Sequence, residues 1–260
     1  MDVTALRAVA FGLFGLAFGS FMTVVVHRVP KGESIAAPRS ACPACGAEIR
    51  AIDNVPVASY VLLRGRCHAC GARISPAYPL TELATAALFV LAGLRFGSLG
   101  VGILVAALSW VLLACALIDL RHRVIPNRIV YPSLVVAAVA VVGLWALGAP
   151  VRASGALMGF LAYGGGLFVI AVISPRGMGM GDVKLAALIG LVVGALGLGA
   201  VGVAAAVGIL AGGIGGVVAL ALGRSRKSAI PFGPYLALGG VVGALAGQQI
   251  AGWYLHLLGA

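Results

Sequence analysis

Long apolar stretches separated by short polar ones organise this chain. Mostly apolar residues fill eight runs, roughly 5–26, 80–96, 99–118, 129–148, 153–173, 183–200, 201–222 and 232–258. A helix that crosses a bilayer needs about 20 such residues, so each run predicts one spanning helix. The second and sixth runs are short and the division near residue 200 is the least marked, so seven or nine spans also fit the pattern. The segment 27–79 is the only sizeable soluble part.

Composition agrees with that pattern. Hydrophobic residues make up 62% of the chain and charged residues 10%, with a mean hydropathy of +1.12, which excludes an ordinary soluble domain. The first run follows Arg7 and passes the small residues Ala17, Gly19 and Ser20. It then continues to Val26 and stops at His27-Arg28. That length and that flank predict a retained helix rather than a secretory signal.

Charge sets the orientation. All 18 Lys and Arg residues except Arg7, Arg95 and Arg152 fall in the segments 27–79, 119–128, 174–184 and 223–230. By the positive-inside rule these face the cytoplasm, with both chain ends on the opposite side. The net charge of +11 is then a topology signal that favours anionic membrane lipid. Nucleic acid is not an expected partner, because the charges are split among loops with no stacking aromatics between them.

Segment 27–79 carries Cys42-Pro43-Ala44-Cys45 and Cys67-His68-Ala69-Cys70. Each C-x2-C pair makes a tight knuckle that presents two thiolates to one metal, and Gly46 and Gly71 let the backbone turn beside it. Four sulfurs suit a structural, tetrahedral zinc, and a segment with so few large apolar side chains needs such a staple. Two disulfides are the other reading, disfavoured on a reducing cytoplasmic side. Cys115, inside an apolar run, reads as a small buried hydrophobe. The predicted fold is an all-α polytopic membrane protein of about eight transmembrane helices with a small cytoplasmic zinc-ribbon-like loop. Its parts are residues 1–26, the first helix; 27–79, the metal-binding loop; and 80–260, the helical domain.

Only seven residues are acidic, and two of them sit at the edges of apolar runs. Asp119 ends the third run and opens Asp119-Leu120-Arg121 through Ile125-Pro126-Asn127, while Asp182 closes Gly179-Met180-Gly181-Asp182. Ionisable groups at such positions are expensive and mark function by default. Two carboxyl groups at one membrane face can hydrolyse a peptide when they share a proton: one takes a proton from water and the other protonates the scissile amide. The ends of the adjoining helices make Asp182 the base and Asp119 the acid. The bland readings are an N-cap for Asp182 and a loop-edge charge for Asp119 beside Arg121 and Arg123. Gly177, Gly179 and Gly181 offer a backbone that an extended substrate strand can approach. Lys184 reads as a partner of the Asp182 carboxylate or substrate, or as a snorkelling charge. Other glycines at four-residue spacing, such as Gly155/Gly159, Gly190/Gly194 and Gly239/Gly243/Gly247, predict close helix seams.

These motifs, in this order, resemble the type IV prepilin leader peptidases, membrane aspartyl proteases with a Gly-x-Gly-Asp motif. Further matches are Gly19-Ser20-Phe21 through Arg28-Val29-Pro30, with Thr23 where the family usually has Asn; Leu62-Leu63-Arg64-Gly65-Arg66-Cys67; Tyr78-Pro79-Leu80; and Ile230-Pro231-Phe232-Gly233-Pro234-Tyr235. The resemblance implies a bacterial inner-membrane, multi-pass endopeptidase with Asp119 and Asp182 catalytic at the cytoplasmic face. Its partners would be type IV prepilins or type II secretion pseudopilins, cut after a Gly that ends a short basic leader. Glu33, Glu48 and Asp53 are the acids available to meet that leader. Many bacterial members also N-methylate the new N-terminus with S-adenosylmethionine, for which no residue of this sequence is assigned. A transporter with proton-carrying acids would explain the aspartates and glycines but not the tetracysteine loop, and an inactive zinc-ribbon scaffold would explain only the loop.

Overall fold

The structure, a computed structural model, describes residues 2–174, 178–223 and 231–259. Gly177, Ile230 and the basic residues Arg176, Arg224, Arg226 and Lys227 lie outside the described residues. Helices are the regular structure of the described chain, with two isolated antiparallel bridges as its only extended pairing. Every apolar run becomes a helix, because in a lipid interior only a helix satisfies its own backbone groups within one segment. The chain divides into two compact units, 1–94 and 95–260.

In the first unit, α1 (Val3–Arg28) begins with the Asp2 carboxylate accepting the Thr4 N–H at 3.4 Å and ends on His27 and Arg28. It packs on α3 (Ala77–Arg95) through small residues. A Cβ added to Gly15 would lie 2.5 Å from Ala86 Cα, and one on Gly19 2.6 Å from Glu82 Cα. Between these helices the loop leaves α1 through a 3-10 turn (Val29–Lys31) and carries a second at Ala51–Asn54 and the short α2 (Ala58–Leu62). The Arg28 guanidinium pins the start of the loop by donating to the carbonyls of Ser34 (3.0 Å) and Pro38 (2.7 Å).

The second unit holds α4 (Leu99–His122), α5 (Asn127–Ala146), α6 (Ala153–Gly159), α7 (Gly166–Ile173), α8 (Met180–Leu196), α9 (Leu198–Ala221) and α10 (Gly233–Leu257). The run 153–173 is not one regular α-helix: a π-helical segment at Phe160–Gly165 joins α6 to α7. The apolar pattern cannot reveal this, because a wider helical turn changes no residue's hydropathy. The weak division near residue 200 falls at Gly197, with α8 ending at Leu196 and α9 starting at Leu198.

Seven helical segments among the described residues are long and apolar enough to span a membrane. The remaining run forms α8, whose 17 residues extend about 26 Å at 1.5 Å per residue. It lies almost wholly buried from Val183 to Ala195.

Small residues let these helices close on one another. A Cβ on Gly155 would stand 2.5 Å from the Gly194 carbonyl oxygen, and one on Gly159 would run into the Gly190 carbonyl. Gly243 and Gly247 of α10 face Ala204 and Ala200 of α9 just as closely. The predicted seams are therefore present. Gly159→Ala is expected to destabilise the protein by about 1–3 kcal/mol, the range for overpacking, read as a lower Tm in detergent. Gly166→Ala, where an added methyl meets open space, should leave Tm unchanged.

Candidate active site and metal centre

Asp119 lies in the last turn of α4, 5% exposed. The helix stops three residues later because Arg123 turns left-handed (φ 55°) and its N–H bonds back to the Asp119 carbonyl at 2.9 Å. Pro126 then serves as the N-cap of α5, leaving the chain extended on its way to the next helix. The Asp119 carboxylate is met by the start of α10, where the Gly233 N–H donates to its Oδ2 at 2.9 Å. Helix starts carry free N–H groups, and Pro234, which has none, follows Gly233 without loss.

Asp182 stands third in α8, half-buried. Its carboxylate folds back to accept the Gly179 N–H at 3.3 Å, while the Asp182 N–H bonds the Gly179 carbonyl at 3.1 Å. The N-terminal capping role is therefore real, but it belongs to an acid at the third helical position with Gly179 as the cap residue. Asp119 and Asp182 lie within electrostatic reach of each other, so packing joins the ends of α4 and α8. Each carboxylate takes a backbone N–H at the start of a helix. The helix-end distinction between base and acid drawn from the sequence therefore does not separate them.

The neighbouring residues hold this junction. A Cβ on Gly181 would lie 2.9 Å from Ile125 Cβ, so this glycine admits the Ile-Pro-Asn turn against α8 as well as leaving backbone open. The Lys184 ammonium donates to Asn127 Oδ1 at 3.0 Å and sits 4.9 Å from the centre of the Tyr131 ring. It ties α8 to α5 and does not pair with Asp182. Residues two apart on a helix point to different sides, which explains why.

Two residues matter that the sequence pattern did not distinguish. Gly233 is legible only as part of Pro231-Phe232-Gly233-Pro234, which signals a turn into a helix but not what lies opposite. In the first unit, Glu82 is an acid inside a predicted span. It is 7% exposed, and its Oε2 accepts the Val57 N–H at 2.7 Å. Val57 has φ 59°, unusual for a β-branched residue, and the buried carboxylate fixes it there.

The four cysteines converge as expected. In the two knuckles the Cys42 N–H bonds Ala47 O at 2.9 Å and the Cys67 N–H bonds Ala72 O at 2.8 Å. Gly46 and Gly71 turn at φ 73° and 72°, a conformation that favours glycine. The four sulfurs of Cys42, Cys45, Cys67 and Cys70 lie within 4.8 Å of one another, with Cys42 and Cys70 Sγ 3.9 Å apart. Four thiolates about 2.3 Å from one zinc stand about 3.8 Å from each other, so the cluster fits a tetrahedral ion. The Ala44 N–H, with that of Cys45, pulls the Cys42 thiol down to about 7. The Ala72 N–H acts the same way on Cys70, but the neighbouring thiols and burial override it and push Cys70 up to about 11. Thiols this crowded ionise together only with a cation among them. Cys115 is fully buried in α4.

Comparison with known proteins identifies the family. Residues 13–96 match the bacterial peptidase A24 N-terminal domain, and residues 106–221 match the type IV leader peptidase family. The four clustered cysteines fall in the first match, and both aspartates in the second. The chain is 35% identical to a prepilin leader peptidase/N-methyltransferase of Pseudomonas aeruginosa, over all of this chain and 98% of that protein. It is 38% identical to one of Bacillus subtilis, over 94% and 96%, and 34% identical to one of Dichelobacter nodosus, over 92% and 91%. No solved structure matches. The resemblance drawn from the motifs thus holds across nearly the whole length, and the chain belongs to the type IV leader peptidase family.

Proposed function

We propose that this protein is an intramembrane aspartyl endopeptidase that removes the basic leader of type IV prepilins or type II secretion pseudopilins after a Gly. The observation that carries the reading is the meeting of Asp119 and Asp182 at the adjoining ends of α4 and α8. Two carboxyl groups within electrostatic reach of each other favour sharing one proton, because both cannot ionise cheaply. The ionised member takes a proton from water, whose oxygen attacks the scissile carbonyl. The protonated member donates to the amide nitrogen as the C–N bond breaks. Asp119, buried and held by Gly233, is the fixed member; half-buried Asp182 is the more exposed.

The distribution of Lys and Arg supports an active site at the cytoplasmic face, and the bacterial relatives support an inner-membrane location. Of the acids available to a basic leader, Asp53 is held by Arg50 at 2.8 and 3.2 Å, and Glu48 lies 4.0 Å from Arg39. Glu33 has no ion pair among the described residues and is the one most open to a substrate. By the names of its relatives, the chain also N-methylates the new N-terminus, with S-adenosylmethionine as the methyl donor. We assign no residue to that donor.

The ion of the cysteine cluster is zinc, and its role is structural, because four thiolates leave no open position. One zinc per chain is expected by metal assay. Cys42→Ser combined with Cys45→Ser should abolish metal retention and loosen the loop, while helix content by circular dichroism stays the same. Zinc still bound at one per chain in that variant would rule out this ligand set. For the activity itself, the purified protein is incubated with a prepilin, with and without S-adenosylmethionine, and the product weighed. Loss of the leader mass alone, or with one methyl group added, is the expected result. An unchanged substrate would overturn the reading.

A further inference from the structure

The first unit contains a cavity of about 420 Å³ lined by Tyr60, Arg64, Arg66, Arg73 and Ser75. Arg66 and Arg73 face each other across an antiparallel bridge, where like charges directly opposite repel. None of the three arginines is in an ion pair among the described residues. The arrangement is nevertheless built. Gly65, turned at φ 66°, packs so closely on Tyr60 that a Cβ there would lie 3.0 Å from the tyrosine hydroxyl. The second cysteine knuckle fixes the Arg66 and Arg73 backbones through the Cys67 N–H to Ala72 carbonyl bond.

Depth in the membrane follows from α3, which starts at Ala77, two residues beyond Ser75, and has 19 residues. Its length of about 28 Å matches a hydrocarbon core of about 30 Å. The start of α3 therefore lies at the hydrocarbon edge and the cavity at headgroup level. On the same loop, α2 presents Val61 and Leu62 outward, 65% and 80% exposed. An apolar pair beside a cationic pocket is the composition of a segment that seats itself in a membrane interface.

We propose that Arg64, Arg66 and Arg73 bind the phosphate of an anionic phospholipid headgroup, with Val61 and Leu62 inserted among the adjoining acyl chains. Guanidinium forks match phosphate oxygens with paired hydrogen bonds, and the phosphate relieves the Arg66/Arg73 repulsion. The site is independent of the aspartate pair and would operate whether or not the chain cleaves prepilins.

Native mass spectrometry of the full-length protein, given phosphatidylglycerol and phosphatidylcholine in competition, reads the preference directly. Wild type is expected to retain phosphatidylglycerol. Each of Arg64→Gln, Arg66→Gln and Arg73→Gln should reduce the preference by about fivefold, the worth of one basic residue at a membrane surface. Zinc content tells whether the knuckle has survived. Leu62→Ser combined with Val61→Ser, which leaves the knuckle untouched, should lower retention of both lipids and keep their ratio. An unaltered ratio in the triple Gln variant overturns the proposal. Complete displacement of the lipid by millimolar inorganic phosphate also overturns it, since the site would then take a free anion.

Discussion

Asp119→Asn and Asp182→Asn are each expected to reduce prepilin cleavage by about 10³-fold or more, with zinc content, membrane insertion and substrate binding kept. A positioned general acid or base contributes about 10² to 10⁴ in rate, and in a dyad the two roles exist only together, so the double variant should be little worse than either single one. Asn keeps the size and one oxygen of Asp, so the Gly233 N–H can still donate to position 119 and the Gly179 N–H to position 182. What it removes is the titratable proton. An inactive-scaffold reading makes the opposite forecast, in which partner binding is kept in both variants. If either single variant cleaves at more than a tenth of the wild-type rate, the dyad assignment fails.

Gly233→Ala is expected to lower kcat by about 10²-fold while KM changes little. A methyl group built there lies 2.8 Å from Asp119 Oδ2 and 3.1 Å from both Cβ and Cγ, so the whole side chain must move rather than one terminal atom. A displacement of about 1 Å in a catalytic group costs about that factor. The contact of Gly233 is with Asp119 itself, which is why the effect should fall on kcat. Gly216→Ala in α9, where the added methyl meets nothing within 4 Å, is the matched control and should leave both constants unchanged. Equal losses in the two variants would mean that general softening of the helix bundle, and not the position of Asp119, governs the rate.

The sequence reads well where one residue's chemistry decides the outcome and poorly where two distant surfaces do. Asp119 and Asp182 stand out because a carboxylate at the end of an apolar run has no cheap structural reason to be there. Nothing local says that the start of α10 reaches Asp119, since Gly233 is 114 residues away and a glycine has no side chain to announce a contact. Lys184 shows the same limit from the other side. Its nearness in sequence to Asp182 suggests a pair, yet helical geometry turns it toward Asn127 and Tyr131. Glu82 lay within a predicted span from the start, but its partner is the backbone N–H of Val57, which no residue pattern encodes.

The sequence by itself determined the helices, the two cysteine knuckles and the family. Apolar length decides whether a segment can span a membrane, C-x2-C with a following glycine closes a knuckle locally, and ordered motifs identify relatives. Tertiary structure alone decided that the ends of α4 and α8 meet, that the first N–H of α10 holds Asp119, that α6 and α7 are joined by a π-helical turn, and that three arginines share one cavity. The physical reason is range. Hydropathy and turn chemistry act over a few neighbouring residues, whereas these contacts depend on how closely small faces such as Gly155, Gly159, Gly190 and Gly194 allow whole helices to approach, and that distance is set by the packing of all of them together.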